Sequence, residues 1–572
     1  MLGNLEALIA EAMAEWQVPA LAVAVVHERR PILVKAYGSR DLEADLPATT
    51  DTQFAICSIT KSLTATAIAI LVEDGSLHWE RPVRDYMRDF QLLDPAAAEI
   101  TLLDMLTHRS GLPRHDWVWF PGDRSPEEML GALRYLEPSC KFRAAFQYQN
   151  LLYMALGVLI ERVTGMSWEE FTRSRILRPL GMEQCTFTIE DLQMAADFAR
   201  PYSLVNGLPR RAPVRPITAS AAGAINAPIA TMANYLRFHL DRGVADGRRI
   251  ISESSASLMQ SPQIYCHADE QPEVGAVSYG LGFEVSHYRG EKLVRHAGGW
   301  IGWQSLLAIL PERGLGVVIL SNRSQNPVPT LLAYAIFDRL CGWNELAWLT
   351  RFRSNQSKSD RQQRHNRQIR AALRKSGTHP SHPLPDYAGD YEHPGYGGVS
   401  IESVGRQLHW KGLGISTELR HRHFDIFEFP SEQADDTDAF IRLAGVSLSF
   451  GYDQEGYIDR FSMTLEPQVP DTVFNRTQLL EPSILRSCVG AYEFGTKMAV
   501  VTLEAEASLT LTLTGDSSIY HLRPYRGTKF TVHERKGHRV EFRAERSIGV
   551  NALILYQPEG TCIATRIQPP VG

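Results

Sequence analysis

The sequence predicts an α/β unit, in which an antiparallel sheet is combined with a helical subdomain, followed by two small antiparallel β-barrels. Strand-like runs at both ends of residues 1–343 enclose a mainly helical middle, which predicts one sheet built from both ends of this unit. Residues 344–383 form a basic segment that predicts a linker. Short alternating runs separated by turns then predict barrel domains over 384–480 and 481–572.

The spacing and length of apolar runs indicate the helices and strands of the first unit. Residues 5–16 carry apolar side chains at helical spacing, and residues 21–26 and 31–37 are apolar runs around a charged turn. After residue 278 the chain contains the strand-length runs YGLGFEVSHYRG, KLVRHAGGW, WQSLLAILPE and LGVVILSN. The helix-like run PTLLAYAIFDRLCGW ends the unit.

The two predicted barrels are related by a weak internal repeat. Gly389-Asp-Tyr391-Glu returns as Gly490-Ala-Tyr492-Glu, and both copies contain alternating runs such as VSIESV and LTLTLT. Two copies of roughly 90 residues suit two closed barrels, because closure removes exposed strand edges.

Composition excludes several classes of function. The 572 residues are 44% hydrophobic and 22% charged, with a formal net charge of −6, so neither nucleic acid nor a membrane is expected as a partner. No run approaches the ~18 apolar residues of a membrane span, and the N-terminus lacks the pattern of a secretory signal, so we expect a cytoplasmic protein. The seven cysteines never form CxxC, which indicates neither a disulfide framework nor a metal site.

The sharpest chemical motif is Ser58-Ile-Thr-Lys61, followed by the apolar helix-like run TATAIAILVEDG. Ser58 is predicted at a helix N-terminus, where free N–H groups favour developing negative charge. Lys61 is on the same helical face, and a desolvated lysine pushed toward neutrality can take the serine proton. The alternative is an N-cap serine followed by an ordinary surface lysine.

Two further motifs carry groups suited to the same chemistry. Tyr148-Gln-Asn150 precedes another apolar helix, and it offers a hydroxyl that can relay a proton and an amide that can orient a lysine or substrate. The alternative is a core tyrosine and an N-cap asparagine. His296-Ala-Gly298-Gly299 ends a predicted strand, where glycines permit close approach of a substrate backbone. A single histidine is otherwise most often a satisfied core or surface residue.

Together these motifs resemble the penicillin-recognising serine hydrolases, which include class C β-lactamases, DD-peptidases, related esterases and D-stereospecific aminopeptidases. The segments Thr107-His-Arg-Ser-Gly111 and Ala222-Gly-Ala-Ile-Asn are also similar to segments of that superfamily. The resemblance covers residues 1 to about 343 and implies a β-lactamase-like sandwich. Histidine at 296, where class C β-lactamases have lysine, together with two C-terminal barrels, resembles the D-aminopeptidases most.

The resemblance implies a role for each matching residue. Ser58 is the acylated nucleophile, Lys61 the general base and Tyr148 the group that passes a proton to the leaving group, while His296 completes the catalytic set. Asn150, Gly298 and Gly299 are substrate-binding, and the N–H groups of Ser58 and Gly299 form an oxyanion hole. No metal or organic cofactor is implied.

The predicted function is a serine hydrolase that acts on small peptides, amides or esters, as a D-stereospecific aminopeptidase or amidase. A β-lactamase-type carboxylesterase and a weak β-lactamase or β-lactam-binding protein are the alternatives, and a homodimer is compatible with the sequence. In the resembling D-aminopeptidases a barrel narrows the cleft toward substrates with free amines. The acidic stretch 432–438 and the turn 514–518 are the candidate loops for such a contact.

Overall fold

A computed structural model describes residues 3–430, 443–478, 480–504, 508–532, 534–535, 538–545, 549–558 and 560–567. The predicted fold class is confirmed. An antiparallel sheet combined with helices is followed by two closed antiparallel barrels. The chain divides into two compact units: residues 1–374 with 430–444 and 465–470, and residues 375–429, 445–464 and 471–572.

The first unit is built on an antiparallel sheet whose order is β10-β11-β12-β13-β14-β15-β1-β2-β3 within the described residues. Strands β1 and β15, from opposite ends of the unit, pair in the middle of this sheet, as the sequence predicted. The unit's strands are β1 (Ala20–His27), β2 (Arg30–Asp41), β3 (Leu46–Pro47), β4 (Gln53–Ala55), β5 (Tyr202–Val205), β6 (Leu208–Arg211), β7 (Asn226–Pro228), β8 (Val244–Ala245), β9 (Arg248–Arg249), β10 (Ile264–His267), β11 (Val277–Tyr279), β12 (Glu284–Tyr288), β13 (Glu291–Trp300), β14 (Trp303–Leu310) and β15 (Leu315–Ser321).

Helices cover both faces of the sheet, which is why β1 is apolar and buried along nearly its whole length. Within the described residues the α-helices are α1 (Leu5–Glu15), α2 (Thr60–Glu73), α3 (Leu102–Leu106), α4 (Pro126–Ala132), α5 (Asn150–Thr164), α6 (Trp168–Thr172), α7 (Ile189–Met194), α8 (Ser220–Gly223), α9 (Ile229–Leu240), α10 (Glu253–Met259), α11 (Val328–Leu340), α12 (Trp348–Ala372), α13 (Leu384–Tyr387) and α14 (Pro482–Cys488). One face packs on α1, α11 and the start of α12, while α9 packs on β1 and β15.

The basic segment after the first unit's sheet is largely the long helix α12. Its first turn is anchored, since Trp348 is buried and its indole N–H donates to Asp338 at 2.8 Å. Arg353 pairs with Glu15 of α1, and most of the remaining helix is exposed. The basic side chains beyond the anchored turn are therefore mainly solvated.

The barrels occupy residues 389–477 and 490–566, and each closes by pairing its first strand with its last. Their strands are β16 (Gly389–His393), β17 (Gly397–Val404), β18 (Gln407–Gly412), β19 (Ile415–His423), β20 (Ile426–Glu428), β21 (Ser447–Tyr452), β22 (Ile458–Met463), β23 (Thr472–Thr477), β24 (Gly490–Phe494), β25 (Lys497–Glu504), β26 (Ser508–Leu513), β27 (Ile519–Arg526), β28 (Lys529–Val532), β29 (Arg539–Glu545), β30 (Gly549–Gln557) and β31 (Gly560–Arg566).

The internal repeat has a structural cause. In each copy the repeated tyrosine is buried and donates its O–H to the carbonyl four residues earlier, at 2.9 Å for Tyr391 and 2.7 Å for Tyr492. The repeated glycine leaves room for an arginine from the last strand. A Cβ at Gly389 would lie 2.8 Å from Arg476 Nε, and the corresponding distance at Gly490 is 2.9 Å. The tyrosine and glycine are thus retained where each barrel closes.

Candidate active site

Ser58 lies on a tight turn between β4 and α2. Residues Cys57–Ile59 form a single helical turn, and Cys57 adopts the left-handed conformation with φ of 51°. The helix that follows is buried along most of its length, as its apolar sequence predicted. Ser58 itself remains partly exposed and lines a cavity. The fold therefore presents this hydroxyl at the N-terminal end of a buried helix.

Lys61 is directed at Ser58 from within the protein. Its side chain is 0% exposed, and Nζ lies 3.3 Å from Ser58 Oγ. The amine also donates to Asn150 Oδ1 at 2.7 Å and to the carbonyl of Ala222 at 2.9 Å. These two acceptors leave the amine directed at the serine, which precedes Lys61 by three residues on the turn that leads into α2.

Burial holds the pKa of Lys61 well below its ordinary value, and the positive charge of Arg114 adds to this effect. An uncharged amine can accept a proton from the serine hydroxyl, whereas an ammonium cannot. Cys57 is no rival nucleophile, because burial raises the pKa of its thiol to about 12.

Tyr148 and Asn150 enter the site from the start of α5. The Lys61 amine lies 4.7 Å from the centre of the Tyr148 ring. Burial raises the pKa of Tyr148, so its hydroxyl keeps its proton. Gln149, not Asn150, caps the helix by accepting from the N–H of Leu151. The Asn150 amide is thus available to Lys61.

His296 is buried on β13 and is held as a neutral ring. Its Nδ1 lies 2.6 Å from the carbonyl of Ala297, which can only accept, so Nδ1 carries the proton. Its Nε2 accepts from the Tyr279 hydroxyl at 2.9 Å. Burial lowers the pKa of His296 to about 4. Position 296 therefore offers an uncharged imidazole and no cation.

The two glycines after His296 let β13 pass close to the turn that carries Ser58. A Cβ at Gly298 would lie 2.4 Å from the carbonyl of Ile56, and Ser305 on β14 donates to that same carbonyl at 2.7 Å. Gly299 lines the cavity together with Ser58, as expected for two donors to one oxyanion.

The cavity at Ser58 encloses about 380 Å³ of unfilled space, part of it open to solvent. Trp119 and Trp300 form one wall, with their rings stacked at 5.1 Å. Arg114 and Asn150 also line it.

The sequence motifs did not predict several residues that lie next to the site. Asp116 accepts from Asn150 Nδ2 at 3.1 Å and from Arg114 Nε at 2.8 Å. His108, which lies in the segment Thr107–Gly111, accepts through Nδ1 from the N–H of Gln149 at 3.1 Å, and its ring packs on Tyr148 at 4.5 Å. Such side chains have no spacing signature of their own, because their partners are distant in sequence.

An acidic residue from the barrel sequence also belongs to the first unit. Glu466 follows β22 and lies in the segment 465–470. It is buried and accepts from the backbone N–H of His115 at 3.2 Å. Its charge acts on Arg114, which lines the cavity. Of the predicted loops, 432–438 lies outside the described residues, and Asp516 of the turn 514–518 accepts from Tyr520 and Arg535 of its own barrel.

The described residues contain no group of three or more His, Cys, Asp or Glu side chains that could hold a metal ion. None of the described helices is long and apolar enough to cross a membrane.

Two known protein families match parts of this chain. The beta-lactamase family matches residues 5–340, and a domain of unknown function, DUF3471, matches residues 373–478. Unguisins hydrolase ungD' of Aspergillus campestris is 29% identical over 423 residues, which cover 69% of this chain and 76% of that protein. Penicillin-binding protein 4 of Amycolatopsis lactamdurans is 30% identical over 282 residues, or 48% of this chain and 73% of that protein.

A solved structure shares the fold. The octameric penicillin-binding protein homologue from Pyrococcus abyssi has a TM-score of 0.55 and 24% identity, covering 89% of this chain and 98% of that one. The chain belongs to the beta-lactamase family, and with it to the penicillin-recognising serine hydrolases. The resemblance drawn from the sequence motifs is thereby confirmed.

Replacing Lys61 with arginine tests whether the amine must lose its charge. Arginine stays protonated at every accessible pH, so we expect kcat/KM to fall by about 10²–10⁴-fold, the usual loss for a general base. The wild-type enzyme should lose activity as pH falls through the pKa of Lys61, because the ammonium cannot accept a proton. Both are measured by steady-state kinetics across pH.

The matched control is Lys35→Arg, since Lys35 is an exposed lysine paired with Glu6. It should keep wild-type kinetics. A Lys61→Arg enzyme with near-normal rates would mean that the residue supplies only charge.

Proposed function

We propose that this chain is an acyl-transferring hydrolase that cleaves small peptides, amides or esters through Ser58. The contact between the Ser58 hydroxyl and the Lys61 amine, whose pKa burial holds well below its ordinary value, carries the proposal. Lys61 takes the proton as Ser58 Oγ attacks the substrate carbonyl, and the Ser58 and Gly299 N–H groups bind the resulting oxyanion.

The second half of acylation needs a proton at the leaving group. Tyr148 retains its proton and lies beside the Lys61 amine that contacts Ser58, so it is the group we expect to donate as the scissile bond breaks. The protonated Lys61 then restores the proton of Tyr148. Water attacks the acyl-enzyme by the reverse sequence, with Lys61 again as the base, and releases the acid.

The proposed finer activity is that of a D-stereospecific aminopeptidase or amidase. Two observations favour substrates that carry a free amine over substrates that would place a carboxylate beside His296. His296 is neutral and tied to Tyr279, so it offers no cation to a carboxylate. Glu466 brings a carboxylate to the neighbourhood of Arg114, which lines the cavity, and adds negative charge there.

The acyl-enzyme is tested by trapping with a fluorophosphonate, followed by peptide mass spectrometry. Label should appear on the peptide that contains Ser58 and disappear in Ser58→Ala. Turnover of D- and L-amino-acid anilides and a chromogenic ester, with penicillin as competitor, then separates peptidase, esterase and β-lactam-binding activity. Labelling at another residue, or full activity in Ser58→Ala, would contradict the mechanism.

Glu466→Gln tests amine recognition. We expect the preference for a D-amino-acid anilide over its N-acetylated form to fall about tenfold, the effect of losing ~1.4 kcal/mol of charge pairing. The measurement is the ratio of the two kcat/KM values.

Glu455→Gln is the control for that ratio, because Glu455 is a glutamate of the same barrel that pairs with Lys529 instead. An unchanged ratio in Glu466→Gln would remove Glu466 from substrate recognition and leave hydrolysis itself unaffected.

A further inference from the structure

A continuous line of hydrogen bonds runs from Lys61 to the cavity wall. Lys61 Nζ donates to Asn150 Oδ1 at 2.7 Å, and Asn150 Nδ2 donates to Asp116 Oδ1 at 3.1 Å. The other Asp116 oxygen, Oδ2, accepts from Arg114 Nε at 2.8 Å. Each group in this line has one orientation that satisfies its neighbours, since amide oxygens accept and amide nitrogens donate.

Asp116 fixes which way the Asn150 amide points. A carboxylate can only accept, so it holds the Nδ2 end and leaves Oδ1 for the lysine. Asp116 is itself held by Trp119, whose indole N–H donates to Oδ1 at 2.9 Å. The carboxylate is buried, whereas the Arg114 side chain is 47% exposed at the cavity.

The other polar groups around Lys61 are uncharged. Burial raises the pKa values of the neighbouring thiol and phenols and lowers those of the histidines, so each stays neutral near pH 7. These groups are Cys57 on the preceding turn, His108 after α3, Tyr148 and Tyr153 at α5, and His296 on β13. Arg114 and Asp116 are therefore the charged groups that act on Lys61 among the described residues.

We propose that Asp116 is a positioning residue for the general base: it orients Asn150 on Lys61, and Arg114 balances its charge. This inference rests on the proposed role of Lys61 as the base. Asp116 touches neither Ser58 nor the substrate in this account, and it acts through Asn150. The pair also gives opposite electrostatic contributions, because the negative charge favours the ammonium and the positive charge favours the free amine.

The test compares Asp116→Asn with Arg114→Gln by the pH dependence of kcat/KM. Loss of the carboxylate charge should move the acid limb to lower pH, and loss of the guanidinium should move it to higher pH, each by about 0.5–1 pH unit. Asp116→Asn should also lower kcat by about tenfold, because an asparagine can present its N–H₂ to Asn150 and reverse that amide. Asp89→Asn, an exposed carboxylate paired with Arg162, is the control and should leave the profile unchanged.

A merely structural role would lower activity without moving the acid limb. Limbs that stay in place, or that move in the same direction in both variants, would overturn the inference. Arg114→Gln keeps the test decisive if Asp116→Asn fails to fold, because Arg114 is half exposed. The proposed function fails separately, when wild-type Ser58 is not labelled by the fluorophosphonate.

Discussion

The site depends on one constraint: the Lys61 amine is completely enclosed. Taking an ammonium out of water costs several kcal/mol unless it is paired, so the buried lysine relieves this cost by losing its proton. The two oxygens nearest to it are the neutral Asn150 amide and the Ala222 carbonyl. Direct contact with a carboxylate would instead stabilise the ammonium and remove its basicity. Asp116 lies one hydrogen bond further from the amine, on the far side of Asn150, and this placement meets the same requirement.

The fold supplies this enclosure from distant parts of the chain. The turn with Ser58 is fixed by β13 and β14, which approach the carbonyl of Ile56 through Gly298 and Ser305. Helix α5 brings the Asn150 amide from the other side. Strands β1 and β15 join the two ends of the first unit in the same sheet as β13 and β14.

Short sequence motifs predicted those parts of the site whose residues are close together in the sequence. Ser58 lies three residues before Lys61, on the turn that leads into α2, and the apolar run after them predicted a buried helix, as observed. The contacts of His296 follow from sheet register, which places Tyr279 seventeen residues away beside its ring. The sequence pattern predicted a histidine at the end of a strand, but it did not predict that a tyrosine hydroxyl donates a hydrogen bond to Nε2 of that histidine.

The barrel loops show a second limit. The stretch 432–438 lies outside the described residues, and acidic composition did not distinguish Glu466, which accepts from the backbone N–H of His115. That contact joins residues far apart in sequence, so no local pattern marks it. The Tyr391 and Tyr492 repeat was visible in sequence because the same closure contact is made in both barrels.

The most direct measurement of the central claim is the titration of Lys61 itself. The chain has 10 lysines, so protein labelled with ¹³C at lysine Cε gives a spectrum simple enough to follow with pH. The Lys61 signal is assigned by its loss in Lys61→Gln. We predict that it titrates well below the ordinary lysine value, because burial and Arg114 disfavour its charge. Titration near 10.5, the ordinary value, would contradict the account.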